Sequence, residues 1–131
     1  MSLKDLLSSI KVSDIMSTSL ISVNMSVNAM QIAKMMEQGG IGAVIVKDAD
    51  KPAGIITDRD FATRIAANGL PLDTPAKDIM SSPLVSIDAG STLVHAAQIM
   101  SDKKIRKLAV CLDGGVVGIV TSTDIVNHLA K

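Results

Sequence analysis

An internal repeat with an offset of 64 residues is the feature that most constrains the fold of this chain. The triplet Asp14-Ile15-Met16 returns as Asp78-Ile79-Met80, and 78 − 14 = 64. Residues 54–60 return as residues 118–124 at the same offset. One register without a gap therefore aligns the two copies, and self-similarity at a fixed period predicts two copies of one supersecondary unit.

The boundaries of the copies follow from where the similarity begins and ends. We place the repeats at residues 12–67 and 76–131. The linker between them, residues 68–75, contains Gly69, Pro71 and Pro75, which are typical of a joint. Residues 1–11 lie outside the repeat, and their apolar side chains recur at helical spacing. They predict a short amphipathic helix that covers an edge of the body or of a partner subunit.

The two repeats show the same order of strand and helix patterns. The first strands are predicted at 20–23 and 84–87, and the first helices at about 26–38 and after a cap at Gly90-Ser91. A hairpin follows in each repeat, at 43–46 with 53–56 and at 108–112 with 116–120. Helices at 61–67 and 125–130 close the repeats. The predicted order is strand, helix, strand, strand, helix, in a mixed α/β (α+β) fold.

Composition and charge limit the class of protein. The 131 residues suit one compact domain, and the single aromatic residue, Phe61, means that the core must be aliphatic. Lys plus Arg is 13 and Asp plus Glu is 13, which argues against general affinity for nucleic acid or anionic membranes. The sequence shows no membrane-span pattern and no signal peptide pattern. Because Cys111 is alone, no internal disulfide is possible, and we expect a reduced, cytoplasmic setting.

The repeated motif Gly-x-x-Thr-x-x-Asp reads as a strand that runs directly into a helix. Thr57 and Thr121 suit the N-cap position, and Asp60 and Asp124 follow three residues later. Such a corner has unpaired backbone N–H groups and favours negative charge. Its hydroxyl and carboxylate could hold a phosphate and a ribose diol. The alternative is a simple capping box, but recurrence at equivalent positions favours a binding site.

With these motifs in the same order twice, residues 12–131 resemble the CBS domain pair, or Bateman module. The resemblance implies two tandem β-α-β-β-α repeats packed sheet to sheet with pseudo-twofold symmetry. It also implies clefts between the repeats that bind adenine nucleotides or related adenosyl ligands. Members of this family commonly form flat, disc-like homodimers, so the resemblance implies a homodimer here too.

The resemblance assigns candidate roles to individual residues. The closing threonine would contact phosphate and the closing aspartate would bind ribose hydroxyls, which selects Thr57, Asp60, Thr121 and Asp124. The adenine would lie against apolar residues around the first strand of each repeat, and Ile55 and Ile119 of the closing motifs are further candidate ligand contacts. The predicted apolar contacts are Leu20, Ile21, Ile55, Leu84, Val85 and Ile119.

A basic residue before the central strand is a further feature of the family, and here the two repeats differ. The second repeat has Arg106 and Lys107, which align with Gly42 and Ala43 of the first. A missing phosphate partner can cost about 1.5–3 kcal/mol. We therefore expect one tighter and one weaker or empty site. Arg59 either compensates in the first repeat or is an exposed side chain.

Other candidate chemistry is weak. His95 lies on a polar helix stripe, and His128 lies near a helix end, where positive charge is favoured. One cysteine and two separated histidines form no zinc pattern, so we predict no metal site and no cofactor. No nucleophile has a plausible His or carboxylate partner, so we predict that the chain is not an enzyme.

The sequence thus predicts a regulatory sensor of AMP, ADP, ATP or a related adenosyl ligand, acting on an unidentified protein. One alternative is a structural module with empty clefts. Another is a nucleic-acid binder that uses the basic run 103–107, which the zero net charge disfavours. Broad apolar helix faces predict a homodimer. The residues of these faces are Met30, Ala33, Met36, Val94, Ala97 and Met100.

Overall fold

The computed structural model describes residues 2–130 and separates into two compact units. One unit is contiguous and spans Ser19–Leu84. The other joins the start of the chain, through Thr18, to the segment from Val85 onward, and we call it the discontinuous unit. These units are not the sequence repeats. The opening segment of each repeat, at residues 12–18 and 76–84, belongs to the unit that contains most of the other repeat.

The predicted element order is confirmed in both repeats. The strands are β1 (Ser22–Asn24), β2 (Ala43–Asp48), β3 (Lys51–Thr57), β4 (Ser86–Asp88), β5 (Lys107–Leu112) and β6 (Gly115–Thr121). The α-helices are α1 (Leu3–Ser8), α2 (Ala29–Gly39), α3 (Asp58–Asp60), α4 (Leu93–Lys103) and α5 (Ser122–Leu129). Short 3₁₀ turns at Val12–Asp14 and Ala76–Asp78 mark the two opening segments, and a π-helical segment, Phe61–Ala66, follows α3.

Each unit contains a three-stranded sheet of the same design within the described residues. In the contiguous unit the order is β1-β2-β3, and in the discontinuous unit it is β4-β5-β6. The first pair of strands is parallel and the second is antiparallel in both sheets. Helices α2 and α4 are the crossovers that a parallel pair requires.

The first strands begin later than the sequence predicts. Strands β1 and β4 begin at Ser22 and Ser86, two residues after the predicted starts. Ile21 and Val85 precede them but still take part in backbone pairing through their carbonyl oxygens. The carbonyl of Ile21 accepts a hydrogen bond from the N–H of Ile45 at 2.9 Å. The predicted strand positions therefore lie on the approach to each strand.

Capping side chains set the starts of the crossover helices. Helix α2 begins at Ala29 because Asn28 and Gln31 form a reciprocal capping box, with N···O distances of 2.9 and 3.1 Å. Helix α4 begins after Thr92, whose hydroxyl accepts from the N–H of His95 at 3.3 Å. The prediction of a cap at Gly90-Ser91 is therefore wrong, and Thr92 occupies the position that Asn28 holds in the first repeat.

The cores are aliphatic, as the composition predicts. The contiguous unit buries Val23, Ala29, Ile32, Val44, Val46, Ile56, Ile65, Ala76 and Ile79. The discontinuous unit buries Val12, Ile87, Ala89, Leu93, Ala96, Met100, Leu108, Val110, Val120 and Ile125. Each core includes residues from an opening segment, Ala76 and Ile79 in one case and Val12 in the other. The opening segments are thus structural parts of the units they join.

The N-terminal helix covers an edge of the discontinuous unit, as predicted. Helix α1 lies against α4, and Leu7 and Ile10 pack on the core of that unit. Ser2 and Asp5 cap the helix start reciprocally. Leu3 remains 60% exposed.

The opening segments cross the closing strands at the repeated glycines. Ser17 exchanges two backbone hydrogen bonds with Ile119, at 2.8 and 2.9 Å, and Ser81 does so with Ile55, at 2.8 and 3.1 Å. A methyl group on Gly118 would lie 2.5 Å from the sulfur of Met16. The Asp-Ile-Met triplet and the closing glycine therefore recur together because they are in contact within each unit.

No helix among residues 2–130 combines the length and the apolar character needed to cross a lipid bilayer.

Candidate functional site

The two closing motifs form strand-to-helix corners with matching backbones. Thr57 and Thr121 are extended N-cap residues at the ends of β3 and β6. The N–H of the next residue donates to a carbonyl of the neighbouring strand segment in both corners. Asp58 donates to Gly42 at 3.3 Å, and Ser122 donates to Arg106 at 2.9 Å. We call these the first and second corner.

In the first corner, the side chain of Asp60 is buried and bonded at both oxygens. The residue is 5% exposed. Its Oδ2 accepts from the N–H and the hydroxyl of Thr57, at 2.8 and 3.3 Å. Its Oδ1 accepts from the hydroxyl of Ser81 at 2.9 Å and forms an ion pair with Nε of Arg64 at 3.3 Å. The carboxylate is therefore fully engaged inside the contiguous unit.

In the second corner, Asp124 is half-buried and has fewer partners. Its Oδ2 accepts from the N–H of Thr121 at 2.9 Å, and its own N–H donates to the hydroxyl of Thr121 at 3.0 Å. Its Oδ1 accepts no hydrogen bond from the side chains and backbone of residues 2–130. The position of Arg64 is taken by His128, and His128 forms no ion pair with Asp124. This corner keeps one carboxylate oxygen available.

The basic residues of the second repeat lie at the second corner. Lys107 is directly opposite Thr121 in the β5–β6 ladder, and the carbonyl of Arg106 receives the first N–H of α5. The corresponding place opposite Thr57 is held by Ala43. The second corner therefore combines a hydroxyl, an available carboxylate oxygen and two cationic residues, whereas the first corner lacks the cations at these two places.

The rest of the basic run has a different location in the fold. Lys103 is in the last turn of α4, and Lys104 is its left-handed C-cap, with φ 55°. The run therefore divides between a helix end and a strand start.

The predicted apolar contacts divide between the units. Leu20, Ile21, Ile55 and Leu84 belong to the contiguous unit, and Val85 and Ile119 to the discontinuous one. Ile21 and Val85 pack partly buried against their own cores, and Ile119 is 8% exposed. These three side chains have structural roles in addition to any contact with a ligand.

Arg59 lies exposed in the first turn after Thr57, in the same corner as Asp60. Its backbone N–H is bonded to the carboxylate of Asp58 at 2.9 Å. Its predicted compensating role remains a prediction.

Two partners of Asp60 at the first corner are residues that sequence reasoning missed. Arg64 is four residues after Asp60, so helical spacing offered a signal for that pair. Ser81 is 21 residues away, and no spacing rule joins it to Asp60. In the sequence, Ser81 is marked only by its position directly after the repeated Asp-Ile-Met triplet. The contact with Asp60 becomes visible only when the path of the opening segment is known.

No group of three or more His, Cys, Asp or Glu side chains among the described residues comes together as a metal site. His95 is exposed on α4. Cys111 is half-buried on β5 as a free thiol.

Comparison with known proteins places this geometry in context. The family model of the CBS domain matches residues 12–67 and 76–131. The chain is 34% identical over 121 residues to the CBS domain-containing protein YhcV of Bacillus subtilis, covering 92% of this chain and 86% of that protein. It is 37% identical over 120 residues to the uncharacterized protein MK0525 of Methanopyrus kandleri, covering 89% of this chain and 61% of that protein.

One similar solved structure contains bound ligands. The CBS domain pair of protein MJ0100, in complex with 5′-methylthioadenosine and S-adenosyl-L-methionine, matches with a TM-score of 0.81 at 30% sequence identity. The match covers 92% of this chain and 95% of that chain.

Proposed function

This chain belongs to the CBS domain family, and from that premise we propose that it is a non-catalytic regulatory module that binds an adenosyl ligand at its strand-to-helix corners. The ligand class includes AMP, ADP, ATP and adenosyl sulfonium compounds. The observation that carries the proposal is the second corner, where Thr121, Asp124 and Lys107 occupy adjoining positions. Binding of the ligand at this corner changes the affinity of the chain for a regulated protein partner.

Each group at the second corner suits one part of such a ligand. An available carboxylate oxygen accepts hydrogen bonds from a ribose diol, because a charged acceptor forms shorter and stronger bonds than a neutral one. The hydroxyl of Thr121 and the helix start suit phosphate. Lys107 and Arg106 add positive charge for the phosphate oxygens. An adenosyl ligand with or without phosphate therefore has a partner for its ribose.

The complex of MJ0100 supports the ligand class. That CBS domain pair holds two compounds with an adenosyl group, and its fold matches nearly all of this chain. The shared part of the two compounds is the adenosyl group, whose ribose hydroxyls can donate to an aspartate. The complex therefore supports adenosyl compounds as the ligand class. Which of them this chain binds depends on its contacts with the part of the ligand beyond the ribose.

The basic run supports nucleic-acid binding less well. Its four cations divide between the end of α4 and the start of β5, and the chain has no net charge. Nucleic-acid binding needs a continuous basic surface and gives affinity that falls steeply with salt.

A thermal-shift series tests the proposed function. The purified chain is heated with adenosine, AMP, ADP, ATP, 5′-methylthioadenosine and S-adenosylmethionine, with GTP as the matched control. A ligand at 100 times its Kd is expected to stabilise the native state by about 2.7 kcal/mol. The absence of a shift with every adenosyl compound would leave a structural module with empty corners.

A substitution at the second corner separates phosphate from ribose recognition. Lys107→Met removes the cation opposite Thr121, so we expect weaker binding of AMP and ATP and little change for adenosine. Lys103→Met, in the last turn of α4, is the matched control. Equal loss for adenosine and its nucleotides would contradict a phosphate role for Lys107.

A further inference from the structure

Asp60 is one of two buried polar or charged residues among those that the structure describes, the other being Thr74. Its side chain is 7% exposed. A buried carboxylate is costly unless hydrogen bonds and opposite charge surround it. Asp60 meets this requirement with partners inside the protein, because both of its oxygens are bonded without any ligand.

The partners of Asp60 come from three parts of the contiguous unit. Thr57 ends β3, Arg64 lies in the π-helical segment, and Ser81 lies in the opening segment of the second repeat. Ser81 is also held to Ile55 by two backbone hydrogen bonds. One carboxylate thus joins the closing strand, the helix after it and the segment that crosses it.

The repeat supplies a matched comparison at Asp124. There, His128 replaces Arg64 and makes no ion pair with the aspartate, and Ser17 replaces Ser81. Asp124 is half-buried, and its Oδ1 has no partner among the described residues. Two aspartates of one motif therefore differ in the oxygen that would face a ribose diol.

We infer that Asp60 is an internal anchor rather than a ligand-binding residue, and that the chain takes one adenosyl ligand, at the second corner. Arg64 and Ser81 occupy the Oδ1 of Asp60, where ribose hydroxyls would otherwise donate. A ligand at the first corner would have to displace both partners from a buried carboxylate. The count of one ligand rests on the proposed function, whereas the anchor role of Asp60 does not.

Paired substitutions test the inference. Asp60→Asn removes the ion pair with Arg64 and places an amide N–H₂ group against donors, so we expect Tm to fall by about 3 °C or more with unchanged ligand affinity. Asp124→Asn is expected to lower affinity about tenfold or more, with a smaller change in Tm, because the amide oxygen of Asn can still accept from the N–H of Thr121. Calorimetry on the wild type with AMP and S-adenosylmethionine is expected to give one ligand per chain.

Arg64→Gln and Ser81→Ala keep the test valid if Asp60→Asn does not fold, and His128→Gln is the matched control for Arg64→Gln. We expect both variants, unlike His128→Gln, to lower Tm while leaving affinity unchanged.

The possible results separate the two claims. Two ligands per chain, or an Asp60→Asn variant with reduced affinity and unchanged Tm, would overturn the inference and leave the proposed function standing. If no adenosyl compound binds the wild type, the proposed function fails, and the Tm values of the variants still decide whether Asp60 is an anchor.

Discussion

Single residues explain why the same motif gives two different corners. The threonine and aspartate of each motif lie together as predicted, and both aspartates accept from the threonine N–H. What separates the corners is the residue four positions later, Arg64 or His128, and the exposure of the aspartate. Helical spacing makes the first difference readable in the sequence. The hydrogen bond from Ser81 to Asp60 joins residues 21 positions apart, so only the folded chain shows it.

The closing glycines support a prediction at the same scale. Gly118→Ala places a methyl group 2.5 Å from the sulfur of Met16 and 2.9 Å from the carbonyl oxygen of Ser17. The opening segment must move, and overpacking of this kind costs about 1–3 kcal/mol. Denaturant unfolding of the variant measures this loss of stability.

Gly115→Ala is the control for Gly118→Ala. The nearest atom to its new methyl group is the carbonyl oxygen of Leu112, at 3.8 Å, which is ordinary contact. We expect a smaller loss of stability in this variant. Equal losses in the two variants would show that the crossing of the opening segment does not set the requirement for glycine.

The helices and strands follow the predicted order. Their ends depend on capping side chains, which the apolar periodicity does not take into account. The apolar pattern of α2 extends to about residue 26, but the helix begins at Ala29 because the capping box of Asn28 and Gln31 ends the pattern there. The final helix of the first repeat differs from its copy in a way that the pattern does not predict. After α3, the N–H groups of Ala67 and Leu70 donate five residues back, at 3.0 Å, and give a π-helical segment.

The capping box predicts a measurable difference between two neighbouring polar residues. Asn28→Ala removes the acceptor of the Gln31 N–H and is expected to cost about 1 kcal/mol of unfolding free energy. Ser26→Ala, at the start predicted from the apolar pattern, removes only a surface contact with Asn24 and is expected to cost less. Chemical denaturation of both variants measures the difference. A larger loss for Ser26→Ala would place the functional start of α2 earlier than Ala29.

The whole molecule has the fold class that the repeat predicts. Its division into two compact units is not predicted by the repeat. Similarity locates the repeats, since it compares residues 64 positions apart. It contains no information on which copy of a strand an opening segment pairs with. The backbone bonds of Ser17 to Ile119 and of Ser81 to Ile55 answer that question. Pairing across repeats is a property of the chain path, which residue patterns do not record.

At the scale of the whole molecule we predict a homodimer. Two methionines of the helix faces from which the sequence predicts it are not available for an interface. Met100 lies in the core of the discontinuous unit, and Met36 packs against the core of the contiguous unit, so neither is free to form an interface. Met30 and Leu72 are 40% and 46% exposed and are neighbours, because the N–H of Met30 donates to the carbonyl of Leu72. We expect this apolar surface to be covered by a second copy.

Sedimentation equilibrium tests the homodimer. The expected result is a mass of twice the 13.6 kDa chain, with weaker association in Met30→Lys. Leu112→Lys, at an exposed strand end, is the control and should associate normally. A monomer at every concentration would contradict the prediction.

The crossing of the opening segments has a consequence for a lone copy of the repeat. A lone copy of the repeat would have a closing strand that nothing crosses and an opening segment with no strand to cross. Two lone copies satisfy both needs by exchanging segments, which is domain swapping, a low-cost route to a dimer. In the present chain, residues 68–75 join two copies that exchange these segments within one polypeptide.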